Sequence, residues 1–423
     1  MRALTFDPTI PRFIATKALS AVRREALWGR WAPLQYREVR DPALPGEDWV
    51  RVGVRLGGIC GSDLHTIHLD TSPAMSAFTS FPFVLGHENV GVLVEVGRAV
   101  EGLSVGARVT VEPVLPCVAR GFASPCPNCR AGNYNLCLRT TEGHLSPGLM
   151  IGACKDTGGS WGPTFVAHHS QIFPVPEAVS DEGALMVEPM ASVLHPLLRH
   201  PPADHATVLV IGGGVIGQCA VAALRAMGST ARVFVLTKHA FQGAMATQLG
   251  ADRSIALGAG DGYYEAIAEL TEGRLRKPML GKRVLIGGVD LTIDCVGSAR
   301  SLDDALRLTR PGGQVLIVGL ASIPRGVDWT PIWHKELHVI GSSFYSVEQW
   351  QGRPVRTMEI VLDWMSRGVV RLGQLVTHRF SVHDYPQALQ AAMGKGASNA
   401  FKVAFVGESG AFRARAPDPL RSR

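Results

Sequence analysis

The sequence predicts an α/β protein in two parts. A strand-rich part comprises the first 194 residues, a doubly wound parallel-sheet domain spans 195–340, and the segment after it mixes helix with a final strand. Three observations predict it. Through the first 190 residues, short β-branched runs such as Val90–Val96 and Arg108–Val114 lie between Gly and Pro turn signals. From Thr207 onward, short apolar runs alternate with helix-patterned stretches, the signature of right-handed βαβ units. A glycine-rich turn joins the first of those runs to the first helix.

The elements follow in order. Val208–Ile211 reads as a strand, Gln218–Met227 as a helix and Arg232–Thr237 as the next strand. Ala240–Leu249 reads as a helix closed by Gly250. Leu291–Cys295 and Gln314–Gly319 are strands separated by the helix Ser301–Thr309. The last segment carries helices at Val355–Ser366 and Tyr385–Met393 and a final strand, Ala400–Phe405. Residues 7–35 and the stretch Thr66–Phe83 fit none of this rhythm: the first reads as an insertion, and the second, with His68, Met75, Phe78 and Phe81, either shapes a pocket or forms a surface loop with a buried aromatic anchor.

Composition narrows the function. The 423 residues are 46% hydrophobic and 18% charged, which excludes a disordered chain. The net charge of +6 is spread along the chain rather than gathered in a stripe, so no nucleic-acid partner is expected. The one local excess, Arg413, Arg415, Arg421 and Arg423, reads as a solvated terminus. No apolar stretch is long enough to span a bilayer and no signal-peptide core appears, so no membrane partner and a cytoplasmic setting are expected. There, a crowd of thiols reads as metal-binding rather than disulfide-bonded. Four of the eight cysteines lie at Cys117, Cys126, Cys129 and Cys137.

The turn Gly212-Gly213-Gly214-Val215-Ile216-Gly217 fits G-x-G-x-x-G between a strand and a helix. Gly212 permits the tight turn, Gly214 lets backbone approach a pyrophosphate, and Gly217 lets the helix pack close. The pyrophosphate then meets free N–H groups at the helix N-terminus. An NAD site usually carries an acid at the end of the next strand. Here that strand ends Thr237-Lys238-His239, so a hydroxyl and a cation stand where a 2′-phosphate would sit. This favours NADP over NAD, against a reading of Lys238 as an ordinary surface lysine.

A second constellation is Cys60-Gly61-Ser62-Asp63-Leu64-His65, then Gly86-His87-Glu88, then Glu188-Pro189. Thiolate, imidazole and carboxylate suit zinc, and a catalytic zinc takes three protein ligands and leaves one position open. Each residue alone has a plainer reading, as a buried small cysteine or a satisfied core histidine.

With these motifs in order, followed by Gly250-Ala251-Asp252, Asp294-Cys295-Val296-Gly297 and Arg310-Pro311-Gly312-Gly313, the chain resembles the zinc-containing medium-chain alcohol and polyol dehydrogenases over roughly residues 45–405. The glutamate at the third ligand position resembles the sorbitol and threonine dehydrogenase branch. The resemblance implies a GroES-like catalytic domain formed by residues 1–194 and 341–423, a Rossmann domain over 195–340, and a catalytic zinc on Cys60, His87 and Glu188. Glu88 matches a residue behind the metal that ligates it transiently. Asp63 matches the acid that orients the ligand histidine, Ser62 the hydroxyl that takes the alcohol proton, and His65 a relay to solvent, against a reading as a plain turn histidine.

Cys126-x2-Cys129-x7-Cys137 resembles the family's structural-zinc loop, except that the first of its four cysteine positions falls on Ala123. Cys117, nine residues before Cys126, is the expected fourth thiolate, with His144 or a vacant site as alternatives. The expected activity is zinc-assisted hydride transfer between an alcohol or polyol and NAD(P), in a homodimer or homotetramer. A zinc-free quinone or enoyl reductase, a non-catalytic nucleotide-binding or metal-storage protein, and a methyltransferase are the alternatives. The substrate itself is not written in the motifs.

Overall fold

The computed structural model describes residues 1–258 and 260–407, so the basic tail from Arg413 to Arg423 lies outside the described residues. The chain divides into two compact units, Met1–Glu188 with the chain from Met358 on, and Pro189–Thr357.

The first unit is built on a seven-stranded, largely antiparallel sheet. Its central strand, Trp49–Gly58, pairs with Asn89–Val96 on one side, with Gly57 opposite Asn89. On the other side Lys402–Val406 pairs with its far end, Ala404 opposite Gly58, and Thr164–His168 pairs with its beginning. Alternating valines at 50, 52 and 54 point into a core with Trp49, Leu93 and Phe165. A second core gathers Trp161, Phe405, Leu389 and Ile67. A three-stranded sheet, Leu34–Glu38, Arg2–Phe6 and Phe83–Val84, lies beside it in the chain's order of pairing.

The second unit is a six-stranded, wholly parallel sheet. Its spatial order is Arg253–Ala256, Arg232–Thr237, Thr207–Ile211, Val289–Asp294, Thr309–Ile317, His338–Gly341. Counted within this sheet the order is 3-2-1-4-5-6, the doubly wound order in which the direction of strand addition switches from one side of the first strand to the other. Thr207–Ile211 is buried along its whole length, as a parallel strand covered on both faces must be.

The expected strands and helices of this unit are present within a few residues of their expected ends. One expectation changes. Val355 belongs to a strand, Arg353–Arg356, paired with Val347–Trp350, and the helix begins at Thr357. Gly352 at φ +78° makes the turn, and Pro354 fits a two-stranded ribbon better than a helix interior. The stretch 7–35 holds a helix, Ile10–Ser20, and a 3-10 turn, Arg24–Trp28. Trp28 is buried and Trp31 exposed.

Lys335 illustrates how this unit is closed. It is buried, and its ammonium donates to the carbonyls of Arg307 and Thr309 at 2.6 and 2.8 Å, at the end of helix Ala299–Leu308. Burial, with Arg307 nearby, pulls its pKa down to about 8. An unfolded lysine keeps its proton to about pH 10.4, so between these values the unfolded chain binds more protons and stability rises with pH. Lys335→Met removes this dependence. Urea unfolding should show the unmodified chain gaining on the variant by about 1 kcal/mol per pH unit from pH 8 to 10.

Candidate active site

The strand Trp49–Gly58 runs into Cys60, the N-cap of helix Gly61–His68. The Asp63 carboxylate accepts the Cys60 backbone N–H at 2.9 Å, closing a capping box. Its other oxygen stands 3.5 Å from His87 Nδ1. One buried acid therefore fixes the helix start and faces the imidazole. Ser62 and His65 lie three residues apart on this helix, on one face and both half-buried. His65 Nδ1 is 2.7 Å from Asp70 Oδ1.

His87 and Glu88 follow Gly86, whose φ is +94°. A Cβ at Gly86 would come within 2.3 Å of the Trp161 ring, so only glycine makes this turn. The segment is pinned by Ser160, whose hydroxyl donates to Glu88 O at 2.8 Å, and by Asn89, whose amide donates to His87 O and Val111 O. Burial alone would lower the His87 pKa, but Asp63 and Cys60 outweigh it and hold it well above its ordinary value.

Glu88 is held by a residue the sequence reading did not single out. The buried Lys402 ammonium donates to both Glu88 oxygens at 2.6 and 2.5 Å and to Ile59 O at 3.2 Å. A Cβ at Gly58 would lie 2.1 Å from Glu88 Oε2, so glycine makes room for the carboxylate. The available signal was a lysine inside the apolar run Phe401–Val406, which needs a buried partner.

Cys60, His87 and Glu88 bring one ligand atom each within 4.8 Å of one another. The expectation placed Glu188 in this set and Glu88 behind it. The structure gathers Glu88 and leaves Glu188 outside the group, buried at the start of helix Val187–Arg199 and near enough to act electrostatically on Lys402. His87 Nδ1 is buried without a hydrogen bond of normal geometry. A thiol, an imidazole and a carboxylate so arranged fit a zinc ion.

Cys117, Cys126, Cys129 and Cys137 converge within 4.8 Å, all buried and none in a disulfide. The Cys126 N–H donates to Cys117 Sγ at 3.3 Å and the Arg139 N–H to Cys137 Sγ at 3.4 Å. Hydrogen bonding with Cys129 pulls the Cys137 thiol down to about 5. Four thiols without an open side fit a closed tetrahedral site. His144 is not in the group and packs its ring on Trp49, 6.2 Å away.

In the second unit Gly212 takes φ +105°, and a Cβ at Gly217 would fall 1.8 Å from Gly212 O, so the helix Val215–Ala226 seats directly on the turn. Gly214 caps that helix and offers no side chain, leaving its first N–H groups free for an anion. Gln218 pins the loop by donating to Gly213 O and Gln242 O, each at 2.9 Å. A cavity of about 390 Å³ opens at the end of Arg232–Thr237, lined by Thr237, Lys238, His239, Thr247 and Ser254 among others, none of them acidic. Thr237 Oγ1 lies 3.2 Å from Ser254 Oγ, and Lys238 is exposed. Beside the turn, Asp294 accepts from Val296 N, Gly297 N and Ser301 Oγ, while burial pushes its pKa up.

Residues 46–177 match the family model described as the alcohol dehydrogenase GroES-like domain, and residues 215–359 that of the zinc-binding dehydrogenases. An L-idonate 5-dehydrogenase of Vitis vinifera is 32% identical over 367 residues, covering 86% of this chain and 89% of that protein. A sorbitol dehydrogenase of Arabidopsis thaliana is 32% identical over 358 residues, covering 84% and 88%. The crystal structure of a zinc-binding dehydrogenase from Sinorhizobium meliloti 1021 bound to NADP aligns with TM-score 0.67 and 28% identity, over 88% of this chain and 96% of that one. The chain belongs to the zinc-containing medium-chain dehydrogenase family. It is an NAD(P)-linked, zinc-dependent oxidoreductase that moves hydride between an alcohol and a nicotinamide cofactor.

The Glu88–Lys402 pair sets a stability test. In metal-stripped protein, Lys402→Met removes the ammonium that holds the buried Glu88 carboxylate and should cost about 3–5 kcal/mol in urea unfolding. Adding Glu88→Leu should restore most of that loss.

Proposed function

We propose that the chain is a polyol dehydrogenase in which Cys60, His87 and Glu88 hold the catalytic zinc, with Glu188 as the site's second carboxylate. The observation that carries this reading is the convergence of those three donors beside a helix that presents Ser62 and His65. The relatives named for idonate and sorbitol support a polyol or sugar-acid substrate. When bound, zinc acidifies a substrate hydroxyl and the nicotinamide accepts the hydride. Ser62 Oγ takes the hydroxyl proton. Ser62 passes its own hydroxyl proton on toward His65 Nε2, the ring nitrogen away from Nδ1, which Asp70 engages at 2.7 Å. Asp63 orients His87 from behind.

Cys117, Cys126, Cys129 and Cys137 would hold a second, structural zinc. Catalytic residues sit in the unit formed by the first and last parts of the chain, with boundaries expected near 194 and 341. The cavity at Thr237 and Lys238 supports NADP as the preferred cofactor, since a cation and hydroxyls line it and no carboxylate competes for a ribose hydroxyl. The edge strand His338–Gly341 offers unpaired backbone to a second copy, in keeping with a homodimer or homotetramer. No helix among the described residues is long and apolar enough to cross a membrane, which suits the proposed cytoplasmic setting.

The zinc-free reductase reading leaves two converged donor sets without a purpose. Metal analysis with an absorbance assay on polyols decides between them. The chain should carry two zinc ions, one per donor group. His87→Ala should carry one, lose turnover and still quench on NADPH binding, and Cys117→Ser should also carry one. Near-normal turnover in His87→Ala would remove zinc from the chemistry. Separately, Lys238→Ala should lower kcat/KM for NADP about tenfold, the effect of one charge-assisted contact, and leave that for NAD unchanged.

A further inference from the structure

The segment between Phe6 and Leu34 holds a helix turned inside out. Helix Ile10–Ser20 buries Thr16, whose hydroxyl donates to Trp31 O at 3.3 Å, and directs Arg12 toward Asp7 at 3.6 Å. Its apolar residues Ile10, Phe13 and Ile14 form one stripe at i, i+3 and i+4, and that stripe faces solvent, Ile10 at 76% and Ile14 at 62% exposure. A helix on the surface of a monomer turns such a stripe to the core.

The helix is fixed in this orientation. Lys17 donates to the carbonyls of His68 and Leu69 at 3.2 and 3.0 Å, capping the helix that carries Ser62 and His65. Leu27 and Trp28, just beyond, are rooted in the core beside Ile67.

A second exposed apolar segment starts from the same place. Phe6 pairs with Leu34 and with Phe83, so the stretch ending at Phe83 joins the three-stranded sheet at the end where the helix segment leaves it. Met75, Phe78 and Phe81 of that stretch are exposed, and the Phe81 ring lies 6.4 Å from that of Phe6. Exposed apolar side chains on two segments that leave the same end of one sheet mark a candidate binding face.

Charge selects the occupant. Residues 7–33 contain five cations and two acids. Arg23, Arg24 and Arg30 are exposed, Arg30 lying 5.8 Å over the ring of Trp31, which is itself 63% exposed. A two-fold pairing with a second copy would set these cations against themselves. An apolar stripe followed in the chain by exposed arginines and an exposed tryptophan suits the interface of a bilayer bearing anionic lipid. Such contact needs no spanning stretch, so the expectation of no membrane partner, drawn from the absence of one, does not bear on it.

We propose that helix Ile10–Ser20, with the exposed aromatic residues of the 75–81 stretch, docks the protein peripherally on an anionic bilayer surface. Vesicle flotation of the full chain tests this, with phosphatidylcholine vesicles containing about 30% phosphatidylserine against pure phosphatidylcholine. The expected result is flotation with the anionic vesicles only, weakened when salt is raised several-fold above about 0.1 M. Ile10→Ser/Phe13→Ser/Ile14→Ser should lower partitioning about tenfold or more. Arg23→Glu/Arg24→Glu should lower it too, with turnover in solution unchanged in both variants. Three outcomes overturn the proposal: no flotation with anionic vesicles, flotation indifferent to the triple variant, or a fall in molecular mass by light scattering in that variant, which would make the face an interface between copies. Binding of soluble poly-glutamate that depends on the same three apolar residues would likewise overturn it in favour of an acidic polypeptide.

Discussion

The register of one strand governs the site. Trp49–Gly58 pairs Gly57 with Asn89 on one edge and Gly58 with Ala404 on the other. Those pairings bring the end of the strand, the Gly86–Glu88 turn and Lys402 together, although they are remote in sequence. A slip of one residue on either edge would turn the donors to the opposite face of the sheet. Around this junction most polar groups are held in series. The Asp63 carboxylate accepts the Cys60 amide and faces the His87 ring, Ser160 holds Glu88 O, and Trp161 donates to Gly58 O at 2.9 Å. Buried networks of this kind are rigid only when every member is paired, and His87 Nδ1, 3.5 Å from Asp63, is the loose link.

The two donor groups solve different problems. The thiol group closes the loop from Cys117 to Cys137, which has little regular structure of its own beyond the short helix Pro127–Arg130 and a 3-10 turn. A metal bound there would supply order that the local backbone does not. The Cys60 group instead sits on regular elements, the end of a strand and the start of a helix, whose positions need no metal to be fixed.

Much of this was legible from residues alone. The G-x-G-x-x-G turn, its flanking strand and helix, and the parallel order of the second unit follow from periodicity and glycine placement. The crowding of Cys117 with Cys126, Cys129 and Cys137 followed from thiol chemistry despite the departure at Ala123. The gathering of Glu88 with Cys60 and His87 was not legible, because it depends on how strands pair on either side of Trp49–Gly58, and on a lysine 314 positions from Glu88. The helix at 10–20 was also hidden. Its apolar residues face outward, so its pattern, read as a core-seeking stripe, gives no sign of where it sits. The strand at Arg353–Arg356 was mistaken for the start of a helix because a two-stranded ribbon leaves too short a period to distinguish.

The placement of Lys402 near the end of the described chain carries a consequence for biosynthesis. Cys60, His87 and Ser160 precede the parallel-sheet unit in the chain, whereas Lys402 follows it. The sheet that holds the donor groups therefore cannot be completed until the strand Lys402–Val406 has been synthesised, so the counter-ion of Glu88 is among the last parts of that unit to leave the ribosome.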